Sequence, residues 1–104
     1  MILPKLVRNK IPEIIEKSGQ PFSVRLAKES ELNSFLIRKM VEEVSEFEEK
    51  PSVEEAADIY EVFLAILENW HIKIDDVQKE AFSKKSIRGS FSEGIILERV
   101  GEHG

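Results

Sequence analysis

The chain has 104 residues, 41% of them hydrophobic and 34% charged, which suits one small, folded, helix-rich domain over 1–104 and argues against disorder; at this size, association would help complete the core. It contains no cysteine, which excludes disulfide frameworks, thiolate metal sites and cysteine nucleophiles. A net charge of −5 disfavours general nucleic-acid binding but allows a local basic pocket for phosphates, and with no apolar run near the roughly 20 residues of a membrane helix and no signal-peptide pattern, the expected location is the cytoplasm, with no membrane partner.

In chain order, Met1–Arg8 reads as extended and delivers Lys5, Arg8 and Lys10 close together. A short helix is expected over Ile11–Lys17: Pro12 suits an early helical position, Ile11, Ile14 and Ile15 give an apolar face, and Gly19 ends it. Phe22–Leu26 alternates apolar and polar residues and predicts a brief strand. A long helix follows from about Glu31 to Glu49, opened by Ser30 and by Glu31 near the positive end of the dipole. After the turn at Lys50–Pro51–Ser52, a third helix runs to about Trp70, with Ser52 and Glu55 spaced as a capping box. His71–Ile74 is a break, Ile74–Lys85 a fourth helix with Val77, Ala81 and Phe82 on one side, Arg88–Gly89–Ser90 a loop, and Gly94–Val100 an extended segment able to pair with Phe22–Leu26. The fold class is all-α, a helical hairpin core with short extended segments near residues 22–26 and 94–100.

Four carboxylates break the amphipathic pattern. At about 100° per residue, Glu43 falls within the apolar stripe of Leu32, Leu36, Met40, Val44 and Phe47, and Glu46 falls at its edge beside Phe35. On the third helix Glu55 lies among Ile59, Val62 and Ile66, and Asp58 between Val62 and Ala65. An antiparallel hairpin pairs residues of constant index sum, a condition that Glu43 with Asp58 and Glu46 with Glu55 both meet. Each unpaired buried anion costs several kcal/mol. A divalent cation would relieve that cost, and oxygen-only ligands select hard ions such as Mg²⁺. Ordinary ion pairs with Lys39, Lys10 or Arg8 would relieve it too, and spacing alone does not decide between them.

The pairs Glu43-Val-Ser-Glu46 and Glu55-Ala-Ala-Asp58 resemble the ExxE…ExxD signature of the all-α nucleoside triphosphate pyrophosphatases, the superfamily of MazG and phosphoribosyl-ATP pyrophosphatase. Lys5-Leu-Val-Arg8-Asn-Lys10-Ile-Pro12 and Lys84-Lys-Ser-Ile-Arg88-Gly89-Ser-Phe91 are similar to flanking motifs of its small phosphoribosyl-ATP pyrophosphatase-like branch, so the likeness spans nearly the whole chain. Two departures stand out: only Phe47–Glu54 separates the pairs, a shorter connection than in MazG proteins, and Asn9 replaces a frequent Asp. The resemblance implies hydrolysis of the α–β phosphoanhydride of a nucleotide with Mg²⁺, or Mn²⁺ in its place. Glu43, Glu46, Glu55 and Asp58 would be the metal ligands, and Glu46 or Glu61 would accept the proton of the attacking water. Arg8, Lys10, Lys84 and Arg88 would bind the substrate phosphates, helped at Gly89 by the close approach that a missing Cβ allows.

Other residues fit structural roles better. His71 and His103 have no partner at ligand spacing, and Trp70, Phe63, Tyr60 and Phe91 suit packing at least as well as base stacking. The third helix is apolar round most of its circumference, which predicts a homodimer or dimer of dimers whose helices form a bundle. Against the nucleotide pyrophosphohydrolase stand phosphoribosyl-ATP hydrolysis and a non-catalytic helical interaction protein.

Overall fold

A computed structural model of the protein describes residues 3–101, so the first two residues of the expected extended opening, and His103, lie outside it. Among the described residues the fold is all-α: α1 (Ile11–Ser18), α2 (Glu29–Glu49), α3 (Val53–Asn69) and α4 (Ile74–Arg88). No strand occurs among them. Phe22–Leu26 and Gly94–Val100 are irregular, which corrects the reading of a strand from alternation: a strand exists only through a partner's hydrogen bonds, and neither segment has a ladder. The chain divides into two compact units, Met1–Ile72 and Lys73–Gly104.

In the first unit, α1 starts without a side-chain cap but with proline in its first turn, and it stops at Gly19, whose φ of 81° is the left-handed conformation glycine tolerates. α2 begins two residues earlier than expected. Its opening is organised by Glu31 rather than Ser30: Glu31 Oε1 accepts the Lys28 backbone N–H at 2.9 Å, and Arg25 grips both carboxylate oxygens. The Arg25 hydrogen bond, followed by that from Lys28, lowers the Glu31 pKa to about 2.

Lys50, Pro51 and Ser52 then reverse the chain. Ser52 Oγ accepts the Glu55 N–H at 3.0 Å and fixes the first turn of α3. Only this half of the expected capping box forms: the Glu55 side chain accepts no hydrogen bond from the Ser52 backbone. α2 and α3 pack as an antiparallel pair, tied at the far end by the amides of Asn33 and Asn69. Leu36 and Leu67 are buried between them, with Leu32, Met40, Phe47, Ile59 and Ile66 half-buried around. Glu43 lies as deep as those leucines, at 6% exposure.

α3 ends in a Schellman-type cap. The Ile72 N–H reaches back to the Leu67 carbonyl at 2.9 Å and the His71 N–H to Glu68 at 3.1 Å, with His71 itself at a φ of 56°. A histidine thus occupies the place that glycine usually takes.

In the second unit, α4 runs to Arg88, three residues past its expected end. Asp75 and Asp76 in its first turn and Lys85 and Arg88 in its last complement the helix dipole. Gly89 stops it at φ 85° and ψ −173°, a region essentially confined to glycine. Val77 is half-buried, whereas Ala81 and Phe82 are exposed.

Candidate metal centre

The centre is assembled from the middle of α2 and the beginning of α3. Glu43 follows Lys39 by one helical turn, and Glu55 and Asp58 stand one turn apart directly after the Ser52 cap. Antiparallel packing brings the three acids together: one carboxylate oxygen from each of Glu43, Glu55 and Asp58 lies within 4.8 Å of the others. Glu43 is buried, and Glu55 and Asp58 are half-buried.

Cations partly offset this charge. Lys39 Nζ sits 3.2 Å from Glu43 Oε1 and 3.4 Å from Glu42 Oε1. Lys5 Nζ reaches the same Glu42 oxygen at 3.3 Å, and the Arg8 guanidinium donates to Asp58 Oδ1 at 2.7 Å. The N-terminal segment is therefore pinned across both helices, through Lys5 to α2 and through Arg8 to α3. Four carboxylates, Glu42, Glu43, Glu55 and Asp58, meet three cations, Lys5, Arg8 and Lys39. Glu55 has no ion-pair partner among the described residues. The buried oxygens Glu43 Oε2 and Glu55 Oε2 accept no hydrogen bond there either.

The pKa shifts follow from burial set against these ion pairs. Burial raises the Glu43 carboxyl above its ordinary range, Lys39 opposes the shift, and the neighbouring charges of Glu46 and Asp58 reinforce it. Burial also raises Glu55, with Asp58, Glu43 and Glu54 adding to the effect and the charge of Lys50 opposing it. Burial works against the Lys39 ammonium, but its hydrogen bond to Glu43 and the charges of Glu42 and Glu43 together outweigh it and hold Lys39 above the usual lysine value. For Glu42 desolvation is likewise the largest single influence, and Lys5 and Lys39 together overcome it and lower the pKa. With Glu46 and Glu54, whose charges also reach the cluster, the acids outnumber Lys5, Arg8, Lys39 and Lys50. Oxygen donors from three acids, two of them with unsatisfied buried oxygens, fit a hard divalent cation.

No family model, no curated protein and no solved structure matches the chain.

The structure gathers three of the four acids singled out in the sequence, together with Arg8. Glu46, read as inward-facing, is exposed: its position at the stripe's edge carries it past the rim of the helix pair, close enough to act on Glu43 through charge. Glu61 and Lys10 are exposed and outside the cluster. Lys84 and Arg88 are exposed on α4, in the second unit. Glu42 was not anticipated. Its spacing from Lys39 was a usable signal, since residues three apart on a helix are neighbours. A shallow concavity lined by Glu29, Ser30, Asn33, Asn69 and Trp70 lies at the far end of the hairpin from the acids. No helix among the described residues is long and apolar enough to cross a membrane.

Proposed function

We propose that the chain is a small member of the all-α nucleoside triphosphate pyrophosphatases, a Mg²⁺-dependent enzyme that cleaves the α–β phosphoanhydride to give the monophosphate and pyrophosphate, acting on the cytoplasmic nucleotide pool. The observation that supports this best is the cation-short cluster of Glu43, Glu55 and Asp58 with its two buried, unsatisfied carboxylate oxygens. Those three residues would hold Mg²⁺, or Mn²⁺ in its place. A bound divalent ion supplies neutralisation of phosphate oxygens and a lowered pKa for water. In the protein, Lys39 fixes Glu43, Glu46 stands beside the cluster as a further ligand or as acceptor of the water's proton, and Glu61 is the next acid along α3. Arg8 is the nearest donor for a phosphate, with Lys10 as a further candidate in the same unit.

The exposed apolar stripe of Ile37, Val41 and Val44 on α2, with Val53 and Tyr60 on α3, supports a homodimer or dimer of dimers. The ion pairs Lys39–Glu43 and Arg8–Asp58 favour a second reading, in which the acids are only structural and the protein is a non-catalytic interaction module. Glu55 weighs against it, because no cation pairs with it among the described residues. Pyrophosphate release from canonical and damaged nucleoside triphosphates and from phosphoribosyl-ATP, with and without Mg²⁺, distinguishes the readings. Mg²⁺-dependent release that Glu43→Gln abolishes upholds the enzyme. Release from phosphoribosyl-ATP alone moves it to the biosynthetic reaction, and no release above Glu43→Gln leaves the interaction module.

A further inference from the structure

Of the three cations, Lys39 and Arg8 touch the Glu43–Glu55–Asp58 cluster itself, and they are held very differently. Lys39 is enclosed: its side chain is 15% exposed, its Glu43 partner 7%, and Glu42 holds it from a second side. Removing it would strand a buried carboxylate, a change that costs several kcal/mol in comparable settings. Arg8 is open. Its side chain is 57% exposed, and its one ion-pair partner among the described residues is Asp58, itself 33% exposed. Ion pairs of that exposure are weak and readily exchanged. The Arg8 backbone, in contrast, is fixed, because Lys5 is bound to Glu42, Leu6 and Val7 are half-buried, and the Arg8 carbonyl accepts the Ile11 N–H at 3.1 Å. The guanidinium is therefore an exposed group carried on an anchored backbone beside the cluster.

We propose that Arg8 is a built-in counter-ion of the metal-free centre: a divalent cation displaces its guanidinium from Asp58, and the released fork then faces solvent beside the cation as a donor for a phosphate oxygen. The inference rests on the metal-centre reading above. Asp58 lies within the cluster, so a cation held there competes with Arg8 for the same carboxylate. The exchange also leaves the carboxylates with one more positive charge than before, since a singly charged guanidinium departs as a divalent cation arrives. It also frees the Nη2 donor now given to Asp58, so that the fork can turn both amino groups to a phosphate.

The test titrates the full-length protein with MnCl₂ alone, by calorimetry, in the wild type, Arg8→Gln, Lys10→Gln and Glu43→Gln. In parallel, the arginine Nε–Hε signals of the wild type are followed by NMR as MgCl₂ is added. Loss of an exposed competing ion pair makes Arg8→Gln bind Mn²⁺ about threefold to fivefold more tightly than the wild type. Lys10→Gln removes the same charge from a neighbouring exposed position and stays close to the wild type. The Arg8 signal shifts with Mg²⁺ in proportion to site occupancy. Equal affinities in Arg8→Gln and Lys10→Gln, or an Arg8 signal unmoved at saturation, overturn the exchange and leave the metal centre intact. Absence of any Mn²⁺ uptake that Glu43→Gln removes overturns both.

Discussion

Neutralising Glu43 should stabilise the metal-free protein. The carboxylate is 6% exposed, its Oε2 accepts no hydrogen bond among the described residues, and its pKa is raised even with Lys39 at 3.2 Å, so the charged form is held at a cost. Glu43→Gln keeps an acceptor for Lys39 and turns the unsatisfied oxygen into an amide that can donate to Glu55 or Asp58. A gained hydrogen bond and relief of a buried unsatisfied group are together worth about 1 kcal/mol or slightly more. For a protein of this size that raises Tm by about 4–8 °C. Mg²⁺ should invert the order: at tenfold above its dissociation constant it stabilises the wild type by about 1.4 kcal/mol and the variant not at all. Urea unfolding followed by circular dichroism, with and without Mg²⁺, measures both effects. A Glu43→Gln protein that is less stable than the wild type without metal, at an unchanged m-value, refutes the claim that this carboxylate is held at a cost.

Other positions give independent checks. His71→Gly should raise stability by about 0.5–1 kcal/mol in urea unfolding, since a left-handed histidine costs roughly 1–2 kcal/mol and glycine's larger unfolded entropy returns part of the gain. Leu67→Ala, removing one of the two buried apolar side chains among the described residues, should cost about 2–5 kcal/mol. Acid titration of stability should show opposite signs at different acids. Glu31, depressed from an ordinary 4.5 to about 2, loses its contribution as pH falls across that window, and Glu31→Gln removes this loss. Glu43 and Glu55, raised above 4.5, destabilise the fold as pH rises above that value, a slope that Glu43→Gln and Glu55→Gln flatten. If the exposed stripe of α2 is covered by a second copy, Val41→Glu should lower the sedimentation mass to that of a single chain.

Much of this was legible in the sequence because it depends on local rules. Pro12 and Gly19 bound α1, and Ser52 sets the start of α3, each by an interaction within a few residues. The meeting of Glu43, Glu55 and Asp58 was legible for a related reason: a three-residue turn leaves an antiparallel pair little freedom of register. Glu46 was harder, since helical angle says which way a side chain leaves its own helix but not how wide the covering helix is. Phe22–Leu26 shows the limit of alternation, which describes a face but supplies no partner. The left-handed His71 was hidden because the residue type signals nothing; the cap is dictated by the carbonyls of Leu67 and Glu68. Arg8 and Lys39 were among the cations that the sequence offered to these acids, but that Arg8 takes Asp58, fifty residues away, is a tertiary fact that no local pattern encodes.

The hydroxyl of Ser52 has a reach beyond its single hydrogen bond. By choosing which residue opens α3, it sets the rotational phase of that helix, and through it the bearing of every side chain that follows. One residue inserted between Lys50 and Ser52 with the cap retained would displace α3 along α2, and one that shifted the cap would turn it by about 100°. Either way Glu55 and Asp58 would leave Glu43 while composition and helix content stayed almost unchanged. The meeting of the three acids is therefore guarded by the length of a connection that supplies none of them.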